Sequence, residues 1–230
     1  MGNESFRRIV ISDMALVRTS QKYAPPHVPD PGLASRWART GSSLRATFTA
    51  PMSTVQLHDL HFEPFISEQE LGKAIDVVAS DLNRKYAGKR PLFIGVLNGA
   101  FFFAAELVKR ITVECEITFV KVASYHGTAS TGKVDQLIGL NERISGRHVV
   151  VLEDIVDTGN TIEHIMAVLA DHHPASISIA ALLFKPDAYK KDIPIDHVAM
   201  RIPNAFVVGS GLDHDGLGRN LPGILRIVQN

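Results

Sequence analysis

The 230-residue chain has one cysteine, Cys115, which excludes an internal disulfide and a cysteine-cluster zinc site and fits a reducing compartment such as the cytoplasm. Cys115 itself reads as a small buried hydrophobe on a strand. No apolar run approaches the roughly 18 residues of a spanning helix, so no membrane partner is expected. Charge of neither sign prevails: 24 Lys and Arg balance 24 Asp and Glu. There is therefore no overall field to recruit nucleic acid, and no such partner is expected. Two phosphate-binding fingerprints are missing as well. The absence of Gly-x-x-x-x-Gly-Lys-Ser/Thr, and of Gly-x-Gly-x-x-Gly after a strand, removes the NTPase and dinucleotide readings. Ten histidines are present, but His58 and His61, or His172 and His173, have no third ligand at a zinc-like spacing.

What the chain does have is a hydrophobic content of 45%, enough for one sizeable core. Residues 1–51 stand apart, with seven Lys or Arg against three acids and the cluster Pro25-Pro26, Pro29 and Pro31-Gly32. This stretch is expected to be a poorly ordered basic extension. Either it is a transit peptide, a reading weakened by Glu4 and Asp13, or it is dispensable and Met52 begins the functional protein. Residues 52–230 are expected to fold as one domain. Ser67 and Glu70 make a capping box for a helix with a stripe at Leu71, Ala74, Ile75, Val78 and Leu82. A strand at Leu92 to Leu97, a helix from Phe101 to Arg110 and a strand near Ile117 to Ser124 follow. Further strands are read at Ile177 to Phe184, near Val207, and at Ile224 to Val228. Alternating strands and helices predict an α/β fold with a mostly parallel sheet.

The most telling stretch runs from His148 to Ile162. Val149 to Leu152 read as a strand buried on both faces, which delivers Glu153 and Asp154 to the carboxyl end where α/β sheets bind ligands. Asp157, Thr158, Gly159, Asn160 and Thr161 then lead into a helical stripe at Ile162, Ile165, Met166 and Leu169. A loop entering a helix N-terminus suits a phosphate monoester. The two carboxylates suit a sugar diol or Mg²⁺; the plainer alternatives are a helix cap or a solvated acidic pair. Phosphate beside a diol means a ribose phosphate.

The whole string resembles the phosphoribosyl pyrophosphate signature of the type I phosphoribosyltransferases. Over Ser67 to Val228 the chain is similar to the hypoxanthine-guanine members of that family. The resemblance implies a type I phosphoribosyltransferase fold with flanking helices, a small hood subdomain and a mobile active-site loop. Glu153 to Thr161 would bind the ribose and its 5'-phosphate, with Asp157 near purine N7 as general base. Leu97, Asn98 and Gly99 would form the pyrophosphate loop, with a cis peptide at Leu97-Asn98, and Arg219 would join it. Lys185, Phe206, Val207 and Asp213 would form the purine site, and Ser124 and Tyr125 would open the mobile loop through Lys133. Mg²⁺ would be held by Glu153, Asp154 and, through water, Asp213. The chain departs from the family at Asn98 and Asn160, where relatives often carry lysine, and at Leu217 and Gly218, where aromatics are common.

The implied reaction is purine salvage: transfer of the 5-phosphoribosyl group from phosphoribosyl pyrophosphate to hypoxanthine or guanine, giving IMP or GMP and pyrophosphate. Two alternatives stay open, a ligand-sensing regulator that binds nucleic acid through the basic leader, and a transferase for another base such as xanthine. An α/β domain of this size is expected to form a homodimer or homotetramer.

Overall fold

A computed structural model describes residues 54–123 and 136–228; the basic extension 1–51 and the expected mobile loop, Ser124 to Lys133, fall outside these residues. A six-stranded sheet is ordered β5-β4-β3-β6-β7-β8. It comprises β3 (Leu92–Leu97), β4 (Glu116–Ala123), β5 (Gln136–Ile138), β6 (His148–Val156), β7 (Ser176–Phe184) and β8 (His197–Arg201). All pairings are parallel except that of β5 with β4. A second, antiparallel sheet, β1-β2-β10-β9, is the hood. It is built from β1 (Val55–Leu57), β2 (Leu60–Ile66), β9 (Val207–Val208) and β10 (Ile224–Ile227).

The continuous apolar runs follow from burial on both faces. Phe93, Val150 and Leu152 pack into a core shared with helices α1 (Glu68–Lys85) and α2 (Phe101–Val108). The alternate residues Leu92, Ile94, Val149 and Val151 pack with Ile165 and Leu169 of α3 (Asn160–Ala170). Val149 to Leu152 are all fully buried, and each contributes about 1.5–3 kcal/mol relative to exposure, an upper value. That requirement on both faces leaves no room for the polar alternation of a half-exposed strand.

The capping box forms as expected. The Glu70 backbone N–H donates to Ser67 Oγ at 3.2 Å, and the Ser67 N–H donates to Glu70 Oε2 at 2.8 Å. Leu71, Ile75, Val78 and Leu82 make the buried face of α1. Two expectations are corrected in detail. The second helix stops at Val108 instead of Arg110, and Cys115 is half-buried just before β4, not a buried strand residue.

The order of the strands sets the position of the site. From β3 the chain crosses through α2 to β4 on one side; from β6 it crosses through α3 to β7 on the other. β3 and β6 are neighbours, so their carboxyl ends border the crevice at the reversal of strand order, where ligands of open α/β sheets bind.

Candidate active site

Glu153 and Asp154 lie at this crevice, and β6 runs through them to Val156. They are strand residues, not loop residues after the strand, because pairing with β7 continues as far as Val156 and Phe184. Glu153 is buried, and its Oε2 has no hydrogen-bond partner. Burial, reinforced by the neighbouring Asp154 charge, holds its carboxyl well above the usual range. Asp154 is also pushed up by burial, against backbone hydrogen bonds and the nearby Arg219. Its Oδ1 accepts from the Ile155 N–H at 2.9 Å. Two desolvated carboxyls, one with an orphaned oxygen, make a hard-oxygen surface that a cation or hydroxyl donors would satisfy.

Residues 153 to 162, from the end of β6 into the first turn of α3, line a cavity of about 280 Å³. Thr158, Asn160 and Thr161 are exposed there. The N-cap of α3 is Gly159, left-handed at φ +89° and without a side-chain cap bond. Asp157 therefore does not cap the helix, and the first-turn N–H groups face the cavity mouth without intrahelical partners.

The loop after β3 carries the expected cis peptide, Leu97-Asn98. Asn98 is exposed and Gly99 buried. A Cβ on Gly99 would fall inside the Asp154 carboxylate, and one on Gly211 would collide with the Gly99 carbonyl oxygen. The pyrophosphate-loop candidate, the β6 carboxylates and the segment before Arg219 are thus packed at backbone distance.

On the far side of β6, Lys185 follows β7. Its side chain is 8% exposed, and Nζ donates to Asp157 Oδ2 at 2.6 Å. The hood contributes Phe206, which is 43% exposed, and the buried Val207. Phe206 rests against Phe62 and against His214, whose ring lies edge-on at 5.6 Å. Asp213 and Arg219 pair with each other. Arg219 Nη1 also donates to the Gly211 carbonyl at 2.6 Å, and the Gly216 N–H donates to Asp213 Oδ2 at 2.7 Å.

The structure thus gathers Asp154 with Gly99, Asp213 and Arg219, and pairs Asp157 with Lys185, while Glu153 is the strand neighbour of Asp154 on β6. Ser124 and Tyr125 lie outside the described residues. Sequence reading missed His214, and nothing in a lone histidine between two aspartates marks it as packing against Phe206. Among the described residues no cluster of three or more His, Cys, Asp or Glu side chains gathers to cage a metal; an Mg²⁺ held largely by substrate oxygens and water needs no such cage. No helix of the described residues is long and apolar enough to cross a membrane.

A doubly wound sheet with a hood, carboxylates at its reversal point and a phosphate-type helix N-terminus beside them defines a class, and comparison with known proteins agrees. The phosphoribosyl transferase domain family matches residues 66–215, and the chain belongs to that family of enzymes. The resemblance then narrows. The hypoxanthine-guanine phosphoribosyltransferase of Streptococcus pneumoniae strain R6 is 42% identical over 164 residues, which is 70% of this chain and 91% of that protein. That of Lactococcus lactis is 39% identical over 164 residues, 70% of this chain and 89% of the relative. A crystal structure of a hypoxanthine phosphoribosyltransferase from Staphylococcus aureus superposes with a TM-score of 0.67 at 38% identity, covering 72% of this chain and 91% of the other.

Proposed function

We propose that this chain is a purine-salvage transferase that moves the 5-phosphoribosyl group from phosphoribosyl pyrophosphate to hypoxanthine or guanine, releasing pyrophosphate. The observation that carries the reading is the Lys185–Asp157 pair, 2.6 Å apart. A 6-oxopurine presents O6 and N7 side by side on one edge. An ammonium has three donors, so Lys185 can hold Asp157 and still donate to O6, while Asp157 faces N7. The exocyclic amino group of adenine would meet the ammonium with like polarity.

In the reaction purine N9 attacks ribose C1, the bond from C1 to the pyrophosphate oxygen breaks, and the proton on N7 passes to Asp157. Thr158, Thr161 and the first-turn N–H groups of α3 hold the 5'-phosphate. Phe206 stacks on the base, and the backbone of Val207 reads its edge. Asn98, Gly99 and Arg219 receive the pyrophosphate; with no lysine at Asn98, reliance on the backbone there and on Mg²⁺ grows. Glu153 and Asp154, with Asp213 through water, would hold Mg²⁺, which offsets the charge of the departing pyrophosphate. The basic extension 1–51 is dispensable for this chemistry, the protein acts in the cytoplasm, and it assembles as a homodimer or homotetramer.

The relatives named above favour the enzyme over a regulator, since they are transferases along 70% of this chain. Lys185→Met tests the carrying observation. It should lower kcat/KM for hypoxanthine and guanine about 10- to 100-fold, the cost of a lost charged hydrogen bond, and leave KM for phosphoribosyl pyrophosphate nearly unchanged. Unaltered kcat/KM for both bases in steady-state assays would place base recognition elsewhere.

A further inference from the structure

We propose that Lys191 is a positioning residue for the 5'-phosphate, acting by cancelling the negative charge of Glu163 beside the phosphate loop; the proposal rests on the functional reading above. The loop Asp157-Thr158-Gly159-Asn160-Thr161 contains no cation of its own. After Lys185 takes Asp157, the chain turns back along the outside of that loop and meets it residue by residue. The Lys190 N–H donates to the Thr158 carbonyl at 3.2 Å. A Cβ on Gly159 would come within 2.5 Å of Tyr189 Cε2 and 2.7 Å of Lys191 Cγ. Tyr189 is itself fixed, its hydroxyl donating to the Ile193 carbonyl at 2.6 Å and its ring lying edge-on to Phe184.

Lys191 ends on α3. Its Nζ donates to Glu163 Oε2 at 2.6 Å, the lysine side chain 22% exposed and the glutamate 57%. Glu163 lies in the first turn of α3, where a carboxylate favours the helix dipole but repels a phosphate dianion at the same terminus. Lys191 is held against Gly159 with its charge on that carboxylate. The pair thereby offsets the conflict between Glu163 and the dianion. A pair this exposed adds little to stability, so its effect should appear in phosphate affinity.

Lys191→Met in the full chain should raise KM for phosphoribosyl pyrophosphate about tenfold, the equivalent of one charged contact, with kcat and KM for hypoxanthine little changed. Binding of ribose 5-phosphate, followed by calorimetry, should weaken in parallel and depend less on ionic strength. Lys191→Arg should behave like wild type. Glu163→Gln should tighten binding, and Lys191→Met combined with Glu163→Gln should recover most of the loss. Unchanged phosphate affinity and salt dependence in both single variants, with only a shift in Tm, would overturn the proposal. A wild-type protein that makes no nucleotide from any base would instead overturn the functional reading, and the ribose 5-phosphate titrations would still decide the role of Lys191.

Discussion

Asp157→Asn is expected to lower kcat about 10²- to 10⁴-fold while substrate binding persists, because general-base catalysis typically contributes that much. The asparagine carbonyl can still accept from Lys185 Nζ, which donates to Asp157 Oδ2 in the native protein. The nearly buried ammonium thus keeps a partner, and the fold should survive. The variant lacks only the capacity to take the N7 proton. Single-turnover kinetics beside equilibrium binding of the nucleotide product separate the two effects. Native turnover in this variant would remove Asp157 from proton transfer.

Gly99→Ala is expected to be as damaging, for a steric reason. The new methyl would fall within the Asp154 carboxylate, and the Gly99 carbonyl is itself pressed against Gly211. Neither neighbour can retreat cheaply: Asp154 is a β6 residue in a two-sided sheet, and Gly211 is held by its N–H to the Arg219 carbonyl. Overpacking of this kind costs about 1–3 kcal/mol. The displacement would be borne by the loop that receives pyrophosphate and by a carboxylate beside it. KM for phosphoribosyl pyrophosphate should rise and kcat fall, together lowering kcat/KM at least about 100-fold, as small misplacements at reacting centres do. Steady-state kinetics with Tm measured in parallel check it; near-native kinetics would show that the close packing is not needed.

The parts of the fold legible in the sequence were those whose signal is local. The apolar runs of β3 and β6, the capping box of α1 and the Thr158 to Thr161 entry into α3 each sit within a few neighbouring residues. The hood hairpin was not legible. β1 has three residues, and β2 contains Pro64, which argues against an interior strand. Yet β2 lies between β1 and β10, with an irregular register at Ile224 and Leu225 beside Pro64. Its partner lies at the other end of the chain, so no local pattern announces it. β6 outruns its apolar stretch for a similar reason: the ladder with β7 carries Glu153 and Asp154 into the strand, whereas hydrophobicity alone stops at Leu152.

The site was legible as a set of residues and not as an arrangement. Glu153 to Thr161 is one contiguous string and could be read directly. That Lys185 reaches Asp157 and that Gly99 abuts Asp154 depend on strand order, which brings β3, β6 and β7 together. The strap through Tyr189 and Lys191 carries no motif and emerges only from its contacts with Gly159 and Glu163.

The most direct measurement is nucleotide formation from phosphoribosyl pyrophosphate and Mg²⁺, with hypoxanthine, guanine, xanthine, adenine and uracil offered separately to the full chain and to a version beginning at Met52. Hypoxanthine and guanine are expected to turn over, adenine and uracil are not, and rates should be equal with and without the basic extension. Turnover of adenine at a comparable rate, or no turnover of any base while phosphoribosyl pyrophosphate still binds, would contradict the proposed function.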